Sequence, residues 1–297
     1  MPEPSSPLVS NQQIRGCELL RERFTRRETL LMPDAFDPLS ARLIEHLGFP
    51  AVQCSGFSFA LAAGCPSEAE LGFEPNLALT RRIAHAVAIP VMADGEDGFG
   101  GPEVVADMVR ALIAAGVVGV NLEDQVLGSA KARAVIDVAL AREKIAAAVA
   151  SARDSGLPRF IVNARTDALA VAEDKQDGLR EAIDRANGYL EEGATLAFVT
   201  GVTSLAQVHT LVGGIAGPLS IAAGLEYNIG AFSIAELMAA GVARVTLPSV
   251  ALFAALGGMR HALEAIGSSL TFDEVMRGNL LADSGLVATM RRSQRTQ

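Results

Sequence analysis

The chain has 297 residues, half of them hydrophobic, with 34 acidic against 25 basic residues and a net charge of −9. That is ample for a large buried core in one or two domains, while the acidic balance, two Tyr and no Trp argue against a nucleic-acid surface. Three cysteines (Cys17, Cys54, Cys65) without CxxC spacing give no disulfide framework and suit a reducing cytoplasm, and no run of about 18 apolar residues marks a membrane span.

Residues 1–13, MPEPSSPLVSNQQ, are polar and rich in Pro and Ser, with no apolar signal core; they read as a loose tail. A helix is expected over 14–28. Eight short runs rich in Val, Ile and Leu follow: 30–34, 51–56, 90–95, 119–124, 160–167, 196–201, 218–223 and 244–249. They are near-continuously apolar, as strands buried on both faces are. Helical patterns lie between them. Val105, Met108, Val109 and Leu112 fall at helical spacing and Gly116 closes that helix; Leu179, Ile183, Ala186 and Leu190 repeat the pattern before Gly193; Ser233 caps a helix that Gly241 ends. A helical stretch over 251–292 completes the chain. Eight strands alternating with helices predict a closed (β/α)8 barrel of the TIM type, one domain over 14–297, with extra N-terminal and C-terminal helices. An open doubly wound sheet is the competing architecture, and no GxGxxG follows the first strand to support it.

In such a barrel chemistry sits at the C-terminal strand ends. These carry Asp34, Ser55-Gly56, Asp94 and Glu96, Glu123-Asp124, Asn163 and Arg165, Thr200 and Ser249. Asp94, Glu96 and Glu123 would face one another across the mouth. Hard oxygen donors with no Cys or His nearby suit Mg2+, with Mn2+ as a substitute, one carboxylate binding directly and the others through water. The competing reading of DGEDG is a surface turn. Arg165, after an apolar strand, needs an anion: either a substrate carboxylate taken by a bidentate fork, or a structural pair with Glu123 or Asp124. Ser55, Gly56 and Phe57 can present backbone N–H groups to an oxyanion. His46, His85, His209 and His261 all lie in helical stretches and read as structural, so no Ser-His-Asp set is visible.

PDAFDPLSARLIEHLGFPAVQCSGFSFA, ADGEDGFG, GVNLEDQ and NARTDA, in order over residues 14–255, resemble the isocitrate lyase/phosphoenolpyruvate mutase superfamily. The resemblance implies an (α/β)8 barrel, often with its eighth helix swapped between the subunits of a tetramer. It implies Mg2+ and small α-keto or 2-hydroxy carboxylic acids whose C–C or P–C bonds break through an enolate. By motif match Asp94 is the direct metal ligand, with Glu96 and Glu123 acting through water. Glu123 and Arg165 form the catalytic pair; Arg165, Asn163, Ser55, Gly56 and Phe57 contact the substrate. Asp97 shapes the loop, which Gly98 and Gly100 let turn, with Phe99 packing at its tip. The chain departs from the family at several positions. The segment EDQVLGSAKARAVIDVALAREK has no Cys or His where family lyases carry an acid/base Cys, and Lys131 and Arg133 are the cations left to close over a substrate. Ser67, Thr200 and Ala222 replace a family Asp, Glu and Asn. The expectation is a Mg2+-dependent lyase or hydrolase. A phosphonomutase, a C–C bond-forming transferase and a non-catalytic keto-acid binder are the alternatives.

Overall fold

A computed structural model describes residues 9–26, 28–126 and 134–291. Lys131 and Arg133 lie outside the described residues. Eight parallel strands close into a barrel in sequence order: β1 (Leu30–Ala35), β2 (Val52–Cys54), β3 (Val91–Asp94), β4 (Gly119–Glu123), β5 (Ile161–Thr166), β6 (Leu196–Val199), β7 (Leu219–Ala222) and β8 (Arg244–Leu247). The predicted architecture is therefore present, and every apolar run became a strand. Each strand is buried along nearly its whole length, which is why the runs do not alternate.

The first helix, α1 (Asn11–Thr25), starts earlier than the apolar pattern indicated. Ser10 and Gln13 form a capping box: the Gln13 N–H donates to Ser10 Oγ at 3.2 Å, and the Ser10 N–H donates to Gln13 Oε1 at 2.9 Å. This helix covers the N-terminal end of the barrel. Gln13 Nε2 donates to the carbonyls of Ile113 and Val117, and Arg21 donates to those of Arg159 and Phe160.

The barrel helices are α2 (Pro38–His46), α5 (Phe73–Ala84), α6 (Pro102–Ala114), α7 (Val138–Asp154), α9 (Lys175–Glu191), α10 (Leu205–Gly214) and α11 (Ile234–Ala239). Three short helices, α3 (Gly56–Ala62), α4 (Glu68–Leu71) and α8 (Ala168–Val171), lie at C-terminal strand ends and had no amphipathic signal to reveal them. Glycines 116, 193 and 241 adopt positive φ and end their helices as expected.

The C-terminal stretch divides into α12 (Val250–Ser269), α13 (Asp273–Arg277) and α14 (Ser284–Arg291), because Leu270 at φ +55° breaks the first run. α12 is poorly covered: only Leu252 and Ala262 are buried, while Phe253, Leu256, Met259 and Leu263 are exposed. Beside it an apolar groove of about 760 Å³ runs between α2, α12 and α14, lined by Leu43, Leu47, Ala251, Ala255, Leu286 and Met290 among others. Among the described residues no helix is long and apolar enough to cross a membrane.

The strand register fixes which side chains share a level inside the barrel. Asp34 pairs with Gln53, Gln53 with Met92, Met92 with Gly119 and Gly119 with Ile161. Strands in an eight-stranded barrel tilt, so staying level means advancing about one residue per strand. From Asp34 that leads to Asp94, Arg165 and Ala222, all on odd-numbered strands. Four inward side chains from alternate strands form one layer. β1 stands opposite β5 and β3 opposite β7, so Asp34 faces Arg165 and Asp94 faces Ala222.

Candidate active site

The layer above and around Asp94 is crowded with buried acid. β3 ends in Asp94, whose Oδ2 accepts the Gly56 N–H at 2.9 Å. The chain then turns sharply: the Gly98 N–H donates to Gly95 O at 2.8 Å, Gly98 takes φ +87°, and Glu96 and Phe99 also adopt positive φ. Asp97 accepts the Phe99 N–H at 2.9 Å and the Phe99 ring packs on Phe73 at 5.2 Å, the loop-shaping roles expected for both. Left-handed φ at Glu96 is unfavourable for a residue with a β-carbon. It turns the Glu96 carboxylate inward beside Gly56, where Glu96 Oε1 is buried with no hydrogen-bond partner. The loop is tied down from outside by Lys144 of α7, whose Nζ donates to Asp97 O at 2.7 Å.

β4 ends in Glu123, buried, with its N–H donating to Glu96 O at 2.9 Å. Glu123 forms an ion pair with Arg165 Nη1. The other edge of the Arg165 guanidinium is already occupied: Nε and Nη2 donate to the two oxygens of Asp167 at 2.8 and 2.9 Å. The expected bidentate fork thus grips Asp167 rather than standing free for a substrate carboxylate, because Asp167 lies two residues on and reaches back into the mouth. Phe198 places its ring 5.8 Å below the Arg165 carbon.

Asp167 was not singled out from sequence, and Asp124 behind it was named only as a strand-end acid and a possible partner of Arg165. Thr200 Oγ1 donates to Asp167 Oδ1 at 2.8 Å and so supports the Arg165 clamp. The Asp167 N–H donates to Asp124 Oδ1 at 2.9 Å, and Tyr189 and Arg185 both donate to Asp124 Oδ2. Only the short spacing in NARTDA hinted at this chain of contacts.

The remaining expected contacts fall out differently. Ser55 caps α3 through the Ser58 N–H, and the Gly56 N–H is spent on Asp94. Phe57 is 44% exposed and meets Phe253 of α12 edge-to-face at 6.2 Å, directed away from the acids. Asn163 lies one turn of the strand below Arg165, wholly buried, donating to Asn121 Oδ1 at 2.7 Å while its own Oδ1 has no partner. Ser67 caps α4, which brings Glu68 near enough to add to the negative potential of the cluster. The histidines occupy helices α2, α10 and α12 and the end of α5, none of them at a strand end.

The electrostatics follow from this crowding. Burial drives Asp94 above its usual range, against the opposing pull of the Gly56 N–H and Arg165. Burial, then the charges of Asp94 and Glu123, push Glu96 far up. Glu123 is raised by burial despite Arg165. Burial pulls Arg165 down, but Asp167 and Glu123 outweigh it and hold the guanidinium firmly charged. So many buried acids against one central cation leave a deficit of positive charge. A divalent cation would relieve it, and the orphaned Glu96 Oε1 marks where. Among the described residues no three Asp, Glu, His or Cys side chains converge tightly enough to cage an ion directly.

The fold and mouth define a (β/α)8 enzyme that sets a cluster of buried carboxylates against one clamped guanidinium. A family profile for phosphoenolpyruvate phosphomutase matches residues 20–267. "Probable 2-methylisocitrate lyase 2" of Corynebacterium glutamicum is 32% identical over 260 residues, 84% of this chain and 80% of that one. A structure of oxaloacetate acetylhydrolase in complex with the product oxalate superposes with TM-score 0.81 at 26% identity, covering 93% of this chain and 94% of that one. A phosphonopyruvate hydrolase complexed with oxalate and Mg2+ gives TM-score 0.79 at 26% identity, with 93% and 94% covered. The chain belongs to the phosphoenolpyruvate mutase/isocitrate lyase superfamily, among its carbon–carbon and phosphorus–carbon bond-cleaving enzymes.

Proposed function

We propose that the protein is a Mg2+-dependent lyase or hydrolase that cleaves a C–C bond of a small α-keto or 2-hydroxy carboxylic acid through an enolate. The observation that carries this reading is the pairing of the orphaned, buried Glu96 carboxylate with the Glu123–Arg165 ion pair on the neighbouring strands. Asp94 would hold the cation directly, with Glu96 and Glu123 reaching it through water. Bound there, Mg2+ supplies positive charge to substrate oxygens, several kcal/mol of stabilisation by analogy with other metal sites.

The chain's own residues supply the rest. Arg165, oriented by Asp167 and Thr200, presents Nη1 and its positive face to the oxygen on which charge develops. Glu123 shares that edge and yields it as the substrate oxygen arrives. Ala222, opposite Asp94, leaves space on the far side of the mouth. Oxaloacetate is a natural first substrate to try, since oxaloacetate acetylhydrolase shares the fold and its product oxalate occupies that enzyme. The exposed apolar face of α12 and the groove beside it support a homo-oligomer in which the eighth helix packs on a second copy.

The test is turnover of a panel of keto and hydroxy acids with Mg2+, including oxaloacetate and phosphonopyruvate, by the wild type and Asp94→Ala. One acid should be consumed and the variant should be inactive; no turnover of any acid would refute the reading. A non-catalytic binder would instead raise its melting temperature with a keto acid yet convert none.

A further inference from the structure

Asp34 is a further acid on the level of Asp94 and Arg165. It was noticed at a strand end in the sequence but given no role. Its inward orientation is fixed by its neighbours: Thr246 Oγ1 on β8 donates to Asp34 Oδ1 at 2.5 Å, and the Leu247 N–H adds a second hydrogen bond. Opposite it across the barrel stands Arg165; Asp94 flanks it from β3 and Gln53 from β2. Arg244 of β8, wholly buried in the interior, donates to Ser220 Oγ at 2.8 Å and Gln53 Oε1 at 2.7 Å. Asp34 keeps 7% of its surface open. A substrate oxygen held at Arg165 therefore lies across the same mouth from Asp34.

We propose that Asp34 is the general acid of the cleavage, delivering the proton to the carbon that keeps the bonding electrons. This rests on the cleavage reading above. As the C–C bond breaks, its electron pair passes to the substrate as an enolate. The Asp34 O–H bond then breaks, the proton forms the new C–H bond, and Asp34 is left as the carboxylate. It takes a proton back from solvent at the mouth, balancing the proton released by the substrate hydroxyl or by the attacking water. In the metal-free protein burial, the largest cause, pushes Asp34 up to about 7, with Thr246 and Arg244 opposing it.

The experiment compares wild type and Asp34→Asn, both loaded with Mg2+. Asn keeps the size of the side chain and an oxygen for Thr246 but holds no transferable proton. The expected result is a fall in kcat of about 100-fold or more, with calorimetric affinity for oxalate changed by less than about threefold. A second readout follows exchange of the methyl protons of pyruvate with D2O by NMR, which wild type should catalyse and the variant should not. If wild type cleaves nothing but exchanges, and the variant does not exchange, Asp34 keeps its role and the cleavage reading falls. If wild type cleaves and the variant retains about a tenth or more of both activities, the proposal for Asp34 is overturned. If wild type does neither, both fall.

Discussion

Gly56 and Glu96 leave no room for anything between them: a β-carbon at position 56 would lie 1.6 Å from Glu96 Oε1 and 2.8 Å from its carboxyl carbon. The glycine at the start of α3 is therefore set by a carboxylate on the neighbouring strand's loop, which needs that space to face the mouth. Gly56→Ala should fold but displace Glu96. Overpacking of this kind costs about 1–3 kcal/mol, and the affinity for Mg2+ should fall by roughly tenfold. Calorimetric titration of Mg2+ into both proteins checks this; unchanged affinity would mean that Glu96 does not serve the metal.

The buried acids make the metal-free protein sensitive to pH. Asp34 titrates near 7 when folded, well above an unfolded aspartate at about 3.9. Asp94, Glu96 and Glu123 are raised in the same direction. A group raised on folding contributes stability that is present below its unfolded pKa and lost as pH rises through the folded value. Thermal melts in EDTA should therefore show stability falling between about pH 4 and pH 7. Mg2+ should restore much of it, and Asp34→Asn should flatten the slope. A rising stability over that range would contradict the charge crowding described for the mouth.

Lys144 offers a way to loosen the metal loop without touching an acid. Its ammonium is buried and donates to the Asp97 carbonyl. Lys144→Met leaves that carbonyl unsatisfied at a cost of about 1–3 kcal/mol. The expected outcome is a weaker Mg2+ affinity and a raised KM for the acid substrate, with kcat less affected. Steady-state kinetics over a range of Mg2+ concentrations measure the split.

Much of this was legible in the sequence. The eight apolar runs announced the barrel because strands buried on both faces cannot alternate, and the acids at two successive strand ends, β3 and β4, with Arg165 on the next, announced the mouth. What stayed hidden depended on which atom of a side chain was already engaged. Arg165 could be read as a fork for a carboxylate, but that its fork is closed on Asp167 follows from a two-residue turn at the end of β5. The Gly56 N–H looked free for an oxyanion; its place beside Asp94 is set by strand pairing. Asn163 was placed with Arg165 among the substrate contacts, yet two residues along a strand is one layer down inside the barrel. Phe57 points at α12, which is distant in the chain. Asp34 gained its meaning only from the register that sets it opposite Arg165.

The clamp on Arg165 predicts that a lysine will not replace it. A lysine ammonium cannot meet both oxygens of Asp167 and Glu123 at once. Arg165→Lys should lower kcat/KM by about 100-fold or more, a loss typical of one aimed donor, with KM and kcat both affected. Asp167→Asn should act in the same direction with a smaller effect, since it frees the guanidinium without removing it. Wild-type kinetics in Arg165→Lys would show that the residue serves the fold alone.

The central claim is that the acid cluster exists to hold Mg2+ beside a small carboxylic acid. A crystal structure of the protein grown with Mg2+ and oxalate tests it most directly. The account predicts one ion with Asp94 as its direct protein ligand at about 2.0–2.1 Å, Glu96 and Glu123 linked to it through water, and oxalate between the ion and Arg165. A mouth without bound metal at saturating Mg2+, or an ion held by other residues, would contradict it.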